Sequence, residues 1–273
     1  MKVLVIGKNG QLGSELIRLI PGAIGTTRED GGDLKLDITN YEEVRRVISD
    51  EAPDVVINTA AITNVDECEL KPDLALKVNG LSVKSMAKAC ESIDAYFIHI
   101  STDYVFDGKK GNYSEYEMPL PINYYGISKL IGDVFALSND RSLVIRTSGV
   151  FGIKMNFPLF VIKTLRENGT VKCIDSLYSP IHATMLANAI REFVEKPAYG
   201  ILNISGERVS RYDLANKIKE KFKIDKGKVE LLNQATKMIA KRPFDSSLNN
   251  EKAKSLLNIK FESLDANLNM INE

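Results

Sequence analysis

Histidine and cysteine are scarce in this chain, which has two histidines and three cysteines among 273 residues. Neither residue type shows the close spacing typical of metal ligands, so we expect no catalytic metal. Cys68, Cys90 and Cys173 are odd in number and far apart in sequence, which favours reduced, buried thiols. The chemistry of this protein should therefore come from other side chains.

Net charge and long apolar runs are absent too. The 36 acidic residues balance 36 basic ones, so the chain has no excess charge to attract nucleic acid or an anionic membrane surface. The apolar run from Val3 to Ile6 ends at Gly7, which is too short for a signal peptide or a membrane span. We expect a cytoplasmic protein with a small-molecule partner, no nucleic acid and no membrane.

Strand and helix patterns alternate along the first half of the chain. This alternation predicts an α/β fold with a Rossmann-like, doubly wound parallel sheet. The predicted strands are Val3 to Ile6, a short one ending near Thr26, Asp54 to Asn58, Ala95 to Ser101 and Leu143 to Arg146. The predicted helices are Gln11 to Ile20, one capped by Thr39 and Glu42 and ending at Ser49, Leu74 to Ser92, and Asn123 to Ser138.

The pattern loosens after Gly152 into shorter elements. We therefore expect a dinucleotide-binding domain over residues 1–150 and a smaller, mainly substrate-binding C-terminal lobe over residues 151–273. Some segments of the second part should return to the sheet. Ligands of parallel sheets bind beyond the carboxyl ends of the strands, so the functional residues are expected there.

A glycine-rich turn separates the first predicted strand from the first helix. Glycines permit a tight turn, and the N–H groups and dipole at a helix start favour a pyrophosphate. The spacing is GxxGxxG, which differs from GxGxxG and resembles the pattern of extended-type short-chain dehydrogenases. The candidate cofactor-binding residues of this turn are Gly7, Asn9, Gly10, Gln11, Leu12 and Gly13.

The end of the second strand bears on which dinucleotide is bound. Arg28 favours the extra phosphate of NADP, whereas Glu29 and Asp30 follow directly and could serve the ribose hydroxyls of NAD. We predict NADPH, with NADH left open. Asp37 and Ile38 follow another short strand, where a carboxylate can accept from the adenine amino group and an aliphatic side chain can pack on the ring.

The segment from Ser101 to Gly108 reads STDYVFDG and resembles the signature of dTDP-4-dehydrorhamnose reductases. Three further segments resemble the same family over nearly the whole chain. They are Asn58, Thr59, Ala60 and Ala61 with Thr63, Val65 and Asp66; Arg146, Thr147 and Ser148; and Arg242, Pro243, Ser246 and Leu248. The resemblance implies that Thr59, Ala60, Ala61 and Thr63 contact the cofactor, and that Thr63, Val65, Thr102, Asp103 and Tyr104 contact the substrate. For Asp103, capping of backbone N–H groups is an alternative.

Tyr125 and Lys129 are four residues apart on a predicted helix and so share one face. An ammonium about 5 Å from a phenolate, at an effective dielectric near 20, stabilises it by roughly 3 kcal/mol. We therefore expect Lys129 to lower the pKa of Tyr125. The resemblance implies a catalytic triad of Thr102, Tyr125 and Lys129, with Ser101 as the alternative to Thr102. Tyr125 would protonate a sugar ketone, and Lys129 would also hold the nicotinamide ribose.

The family commonly has a tryptophan after the segment Arg146 to Ser148, but this chain has Gly149 there and no tryptophan at all. Phe151 or an aromatic residue of the second lobe could replace that surface, or the substrate could be a different nucleotide-linked 4-keto sugar.

The resemblance implies NADPH-dependent reduction of dTDP-4-dehydro-L-rhamnose to dTDP-L-rhamnose, and relatives suggest a homodimer. The alternatives are a reductase or epimerase of another sugar nucleotide and a noncatalytic dinucleotide-binding subunit resembling methionine adenosyltransferase β. The presence of Thr102, Tyr125 and Lys129 argues against the noncatalytic alternative.

Overall fold

The structure is a computed structural model that describes residues 1–29, 31–232 and 238–271. The strands in these ranges are β1 Val3–Ile6, β2 Ile24–Thr27, β3 Leu34–Lys35, β4 Val55–Asn58, β5 Tyr96–Thr102, β6 Ser142–Thr147, β7 Val150–Phe151, β8 Thr170–Cys173, β9 Leu177–Tyr178, β10 Ile181–His182, β11 Gly200–Asn203, β12 Val209–Ser210 and β13 Lys228–Leu231. The helices are α1 Gln11–Leu19, α2 Tyr41–Glu51, α3 Val65–Leu70, α4 Pro72–Ala75, α5 Ser82–Ser92, α6 Tyr124–Ala136, α7 Phe157–Arg166, α8 Ala183–Glu195, α9 Arg211–Lys221, α10 Glu251–Leu256 and α11 Leu264–Asn269.

Seven strands form one sheet in the order β11-β6-β5-β4-β1-β2-β3, and every neighbouring pair in it is parallel. This confirms the predicted doubly wound sheet. The chain runs outward from β1 to β3 and then returns to place β4 on the other side of β1. The strand order therefore reverses between β1 and β4, which is where such sheets open a crevice for ligands.

The two faces of the sheet bury alternate residues of the same strands. Val3 and Val5 of β1 pack with α1 and α8 on one face, while Leu4 and Ile6 pack with α2 and α5 on the other. Both faces are covered, so the strands are apolar throughout rather than alternating with polar residues. That is why the strands show as continuous apolar runs in the sequence.

The second half of the chain builds a separate apolar cluster. Side chains of α7, α9 and α11 pack there with β8, among them Val161, Val171 and Leu214. One strand of this half, β11, does not belong to this cluster and pairs instead with β6 at the edge of the sheet. No helix of the described residues is long and apolar enough to cross a membrane.

Two predicted helix starts are wrong. The cap of α2 is Asn40, the residue directly before the helix, whose side chain accepts from Glu43 N at 3.3 Å. The N–H and hydroxyl of Thr39 donate instead to Asp37 Oδ1, each at 2.8 Å. The helix predicted from Leu74 begins at Pro72, the residue type favoured in a first helical turn. It continues through a π-helical segment, Leu76–Leu81, into α5.

Glycines allow α6 to approach its neighbours closely. A Cβ added to Gly132 would lie 2.4 Å from the carbonyl oxygen of Asn79, and one added to Gly126 would lie 2.2 Å from that of Tyr104. Both neighbours are backbone atoms, which cannot move aside as a flexible side chain can. The helix that carries Tyr125 and Lys129 is thus fixed by backbone contact on two sides.

We predict that Gly132→Ala lowers the free energy of unfolding by about 1–3 kcal/mol, because the added methyl overpacks this contact despite the better helix propensity of alanine. Urea unfolding followed by circular dichroism measures the change. Lys88→Ala, at an exposed position of the neighbouring helix α5, is the control and should stay within about 0.5 kcal/mol of wild type. Equal stability of the two variants would contradict the packing argument.

Candidate active site

Two cavities open at the carboxyl ends of the strands. The tyrosine cavity, of about 480 Å³, is bounded by Thr102, Tyr125 and Lys129. The glycine-turn cavity, of about 650 Å³, is bounded by Gly7 and Arg28 among other residues. Gly10 and Ala61 line both, so the cavities are neighbours that share a wall.

Nearly all the predicted site residues line these cavities. In the tyrosine cavity they are Gly10, Gln11, Leu12, Thr59, Ala61, Thr63, Val65, Thr102, Asp103, Tyr104, Tyr125 and Lys129. In the glycine-turn cavity they are Gly7, Asn9, Gly10, Arg28, Asp37, Ile38, Ala60 and Ala61. Gly13 lines neither, because it packs against the turn itself: a Cβ there would lie 2.2 Å from Gly7 O. Asp30 lies outside the described residues.

The glycine turn suits a pyrophosphate. Gly7 has φ +90°, and its N–H and that of Lys8 both donate to Thr26 O, which fixes the turn against β2. The N-cap of α1 is Gly10, which has no side chain to cap the helix, and the first turn holds no acidic residue. The first N–H groups of α1 thus remain available to an anion, and the helix dipole favours a negative charge there.

Arg28 and Asp37 lie together in the glycine-turn cavity. The Arg28 side chain is largely exposed and sits 3.7 Å from the Glu29 carboxylate. Asp37 accepts two hydrogen bonds from Thr39, and these lower the pKa of its carboxyl group, with Arg28 adding a smaller electrostatic contribution. Asp37 is therefore an anion, and the exposed guanidinium remains within reach of solvent or a ligand.

The half-buried side chain of Tyr125 lies next to Thr102. The Asn123 side chain accepts from Gly126 N at 2.8 Å and so fixes the start of α6 just before Tyr125. Burial raises the pKa of Tyr125 well above its usual range, while a hydrogen bond between its phenol and the Thr102 side chain opposes that rise. The expected lowering of this pKa by Lys129 is wrong for the protein by itself, because the ammonium is directed elsewhere.

The Lys129 ammonium is held beneath the cavity. It donates to Ile100 O at 2.6 Å and lies 3.5 Å from His99 Nε2. The residue is 2% exposed, and burial lowers its pKa to about 8, while the negative charge of Asp133 opposes the shift. The carbonyl of β5 and the carboxylate of Asp133 thus hold this charge in place of bulk water.

A buried polar network surrounds that ammonium. Asp133 Oδ2 accepts from Arg146 Nε at 3.2 Å, and Asp133 Oδ1 lies 4.0 Å from His99 Nε2. Asn58 Oδ1 accepts from Ala60 N, so its Nδ2 faces His99 Nδ1 as a donor at 3.2 Å. His99 Nδ1 must therefore accept, and the ring proton belongs on Nε2. Burial lowers the pKa of His99 well below its usual value, so this histidine is a neutral core residue.

Asp103 connects the loop from Ser101 to Gly108 with the C-terminal segment that contains Ser246. Its Oδ2 accepts from Ser148 Oγ at 2.7 Å and Ser246 Oγ at 2.5 Å, and its Oδ1 accepts from Thr102 Oγ1 at 3.1 Å. Burial raises the pKa of this carboxyl group, and the three hydroxyls oppose the rise. These partners are side chains rather than the backbone N–H groups considered from sequence. The predicted substrate contact of Asp103 stays a prediction.

Tyr178 and Arg211 are among the residues of the tyrosine cavity that were missed from the sequence. Gly149 has φ +48°, and a Cβ there would lie 2.5 Å from Tyr178 Cε2, so the tyrosine ring occupies the space next to Gly149. An aromatic residue of the second lobe thus covers the glycine, as one of the sequence-based alternatives proposed. The sequence around Arg211 signals only a helix start, Ser210 with Asp213, and gives no hint of the cavity.

A family model described as RmlD substrate binding domain matches residues 1–272. The chain belongs to this family. The dTDP-4-dehydrorhamnose reductase of Aggregatibacter actinomycetemcomitans is 34% identical over 266 residues, which cover 90% of each chain. The crystal structure of a hypothetical dTDP-4-dehydrorhamnose reductase from Sulfolobus tokodaii is 46% identical, with a TM-score of 0.94 and 100% coverage of both chains. That of a dTDP-4-dehydrorhamnose reductase from Bacillus anthracis in complex with NADP is 28% identical, with a TM-score of 0.90 and coverage of 98% of this chain and 97% of that one. Membership of the family confirms the resemblance found in the sequence.

We predict that the stability contributed by Lys129 rises with pH. An unfolded lysine titrates near 10.4, whereas the folded pKa is about 8, so between these values the unfolded chain binds more protons and unfolding becomes less favourable as pH rises. Relative to Lys129→Met, the wild-type protein without ligands should gain on the order of 3 kcal/mol from pH 7 to above pH 10. Urea unfolding of both proteins across this range tests it, and a constant difference would contradict the lowered pKa.

Proposed function

We propose that the chain reduces the C4 ketone of dTDP-4-dehydro-L-rhamnose to an alcohol, giving dTDP-L-rhamnose, with NADPH as the reductant. The observation that carries this proposal is the meeting of Thr102, Tyr125 and Lys129 in one cavity beside an uncapped glycine turn. Relatives named dTDP-4-dehydrorhamnose reductase share 33–37% identity with the chain. The noncatalytic alternative has no comparable support.

The residues of the turn and the first lobe would hold the cofactor. The first N–H groups of α1 would bind the pyrophosphate, Asp37 and Ile38 the adenine, and Arg28 the phosphate that distinguishes NADPH from NADH. Bound NADPH supplies the hydride that the reaction requires. We place this cofactor function in residues 1–150 and the greater part of substrate binding in residues 151–273.

Tyr125 would act as the proton donor. Because burial raises its pKa, the phenol carries its proton at neutral pH, which is the form a reductase needs before the ketone is reduced. Thr102 hydrogen-bonds the phenol and would also reach the ketone oxygen. As the oxygen gains negative charge, Tyr125 would transfer its proton to it, and Lys129 would hold the nicotinamide ribose.

We further propose a cytoplasmic homodimer, as expected from the sequence. The outer face of α6 supports the assembly, since Tyr124, Ile127 and Val134 are exposed apolar or aromatic side chains on one helix. Sedimentation of the purified protein would measure the oligomeric state.

Tyr125→Phe should lower kcat by roughly 10²- to 10⁴-fold, because it removes the proton donor and little else. The measurement is the loss of NADPH absorbance in the presence of dTDP-4-dehydro-L-rhamnose. The matched control is Tyr124→Phe, the exposed neighbour on the same helix, which should retain wild-type turnover. No turnover by the wild-type protein would reject the substrate, while full turnover by Tyr125→Phe would reject only the role of Tyr125.

Arg28→Ser should raise the dissociation constant of NADPH roughly tenfold, the size of one lost charge-assisted contact of about 1.4 kcal/mol. NADH lacks the additional phosphate and is the matched ligand, so its dissociation constant should not change. Titration followed by the fluorescence of the reduced nicotinamide gives both constants. Equal effects on the two cofactors would assign the extra phosphate to another residue.

A further inference from the structure

Two cationic side chains of the described residues line the tyrosine cavity, Lys129 and Arg211. The Lys129 ammonium is already engaged by Ile100 O and by the field of Asp133. Arg211 forms no ion pair within 4.0 Å with any carboxylate of the described residues. It is therefore the cation of this cavity that forms no close ion pair with the described residues, and the buried Asp103 carboxylate acts on it only at longer range.

Aromatic rings fix the Arg211 guanidinium. Its central carbon lies 4.4 Å from the centroid of the Tyr178 ring and 5.2 Å from that of Phe157. Contact with an aromatic face uses the plane of a guanidinium and leaves the N–H groups at its edge free to donate. Tyr104 takes one hydrogen bond from this group, and a planar fork of five donors has others to offer.

The backbone brings Arg211 and Tyr178 together. Strands β9 and β12 pair antiparallel, with Val209 opposite Tyr178, so Arg211 begins α9 directly beside the tyrosine. The Arg211 N–H donates to Ser176 O at 3.0 Å. Both ends of the pair are thus anchored by the second lobe, and the guanidinium is held in place before any ligand arrives.

The position of Arg211 relative to Tyr125 limits what it can bind. The rings of Tyr104 and Tyr125 lie 5.8 Å apart, and Tyr104 is the hydrogen-bond partner of Arg211. A single aromatic side chain thus separates the guanidinium from the proposed proton donor. A molecule that presents its ketone to Tyr125 therefore brings its neighbouring groups close to Arg211, and in a nucleotide sugar the anionic group next to the sugar is the diphosphate.

We propose that Arg211, supported by the ring of Tyr178, binds the diphosphate of the nucleotide-sugar substrate, an inference that rests on the proposed function. A charged and partly desolvated guanidinium without a directly paired carboxylate has N–H groups to satisfy, and a diphosphate oxygen satisfies them with charge-assisted hydrogen bonds. Because Tyr178 occupies the space next to Gly149, the phosphate contact and the wall of the sugar site come from the same pair of residues.

The test compares dTDP with thymidine, which lacks the phosphates, by calorimetric titration of the full chain. Arg211→Gln should weaken dTDP binding roughly 10- to 100-fold, as expected for the loss of one or two hydrogen bonds to a charged group, and leave thymidine binding unchanged. Arg191→Gln, which removes an exposed arginine of α8, is the matched control and should bind dTDP as wild type does. Unchanged dTDP binding by Arg211→Gln, or an equal loss of thymidine binding, would overturn the proposal.

NADPH binding distinguishes a substrate site from a cofactor site. Arg211→Gln should keep the wild-type affinity for NADPH, and a selective loss of NADPH affinity would assign Arg211 to the cofactor and overturn the proposal. If the variant loses affinity for every ligand, Arg211→Lys is tested in its place. Lysine keeps the positive charge but not the planar fork of donors, so dTDP binding should still weaken at least several-fold.

Arg211-dependent dTDP binding without turnover of dTDP-4-dehydro-L-rhamnose would reject the proposed substrate and retain the phosphate site. Turnover with an unchanged KM in Arg211→Gln would reject the phosphate site alone.

Discussion

The buried ammonium of Lys129 is the constraint on which the arrangement of the site depends. A charge that is removed from water must be met by hydrogen bonds or by an opposite charge. Here β5 provides a carbonyl, that of Ile100, and α6 provides the carboxylate of Asp133 one helical turn further on. Arg146 of β6 in turn holds Asp133. Two central strands and the helix that carries Tyr125 are therefore tied to one charge, which explains why polar residues occur in an otherwise apolar core.

The same network extends to Ala60, which lines the glycine-turn cavity. Ala60 N–H orients the side chain of Asn58, which orients His99, whose Nε2 faces Asp133 and Lys129. Each step is set by the donor or acceptor character of the preceding group, so His99 has one tautomer and no room for a second proton. The neutral His99 ring thus keeps one orientation and one proton. The proposed acid–base chemistry is therefore assigned to Tyr125 and not to His99.

The parts of the fold that depend on local pattern were predictable from the sequence. Apolar runs gave the strands of the parallel sheet, and the glycine spacing after β1 gave the tight turn into α1. The environment of side chains was less accessible. The spacing of Tyr125 and Lys129 placed both in the tyrosine cavity but did not give the direction of the ammonium, because Ile100 and Asp133 compete for it. Likewise the sequence did not show that Asn40 caps α2 while Thr39 donates its hydrogen bonds to Asp37.

Arg211 shows a second limit of the sequence. Its partner Tyr178 lies on another short strand, and only the pairing of β9 with β12 brings them together. Strands of two residues carry no periodicity, so their pairing is decided by the packing of the second lobe. Asp103 also joins that lobe to the first, because its carboxylate accepts hydrogen bonds from the hydroxyl of Ser148 and from that of Ser246 in the C-terminal segment. Since Asp103 adjoins both Thr102 and Tyr104, the residue that connects the lobes also positions two side chains of the tyrosine cavity, one beside Tyr125 and one beside Arg211.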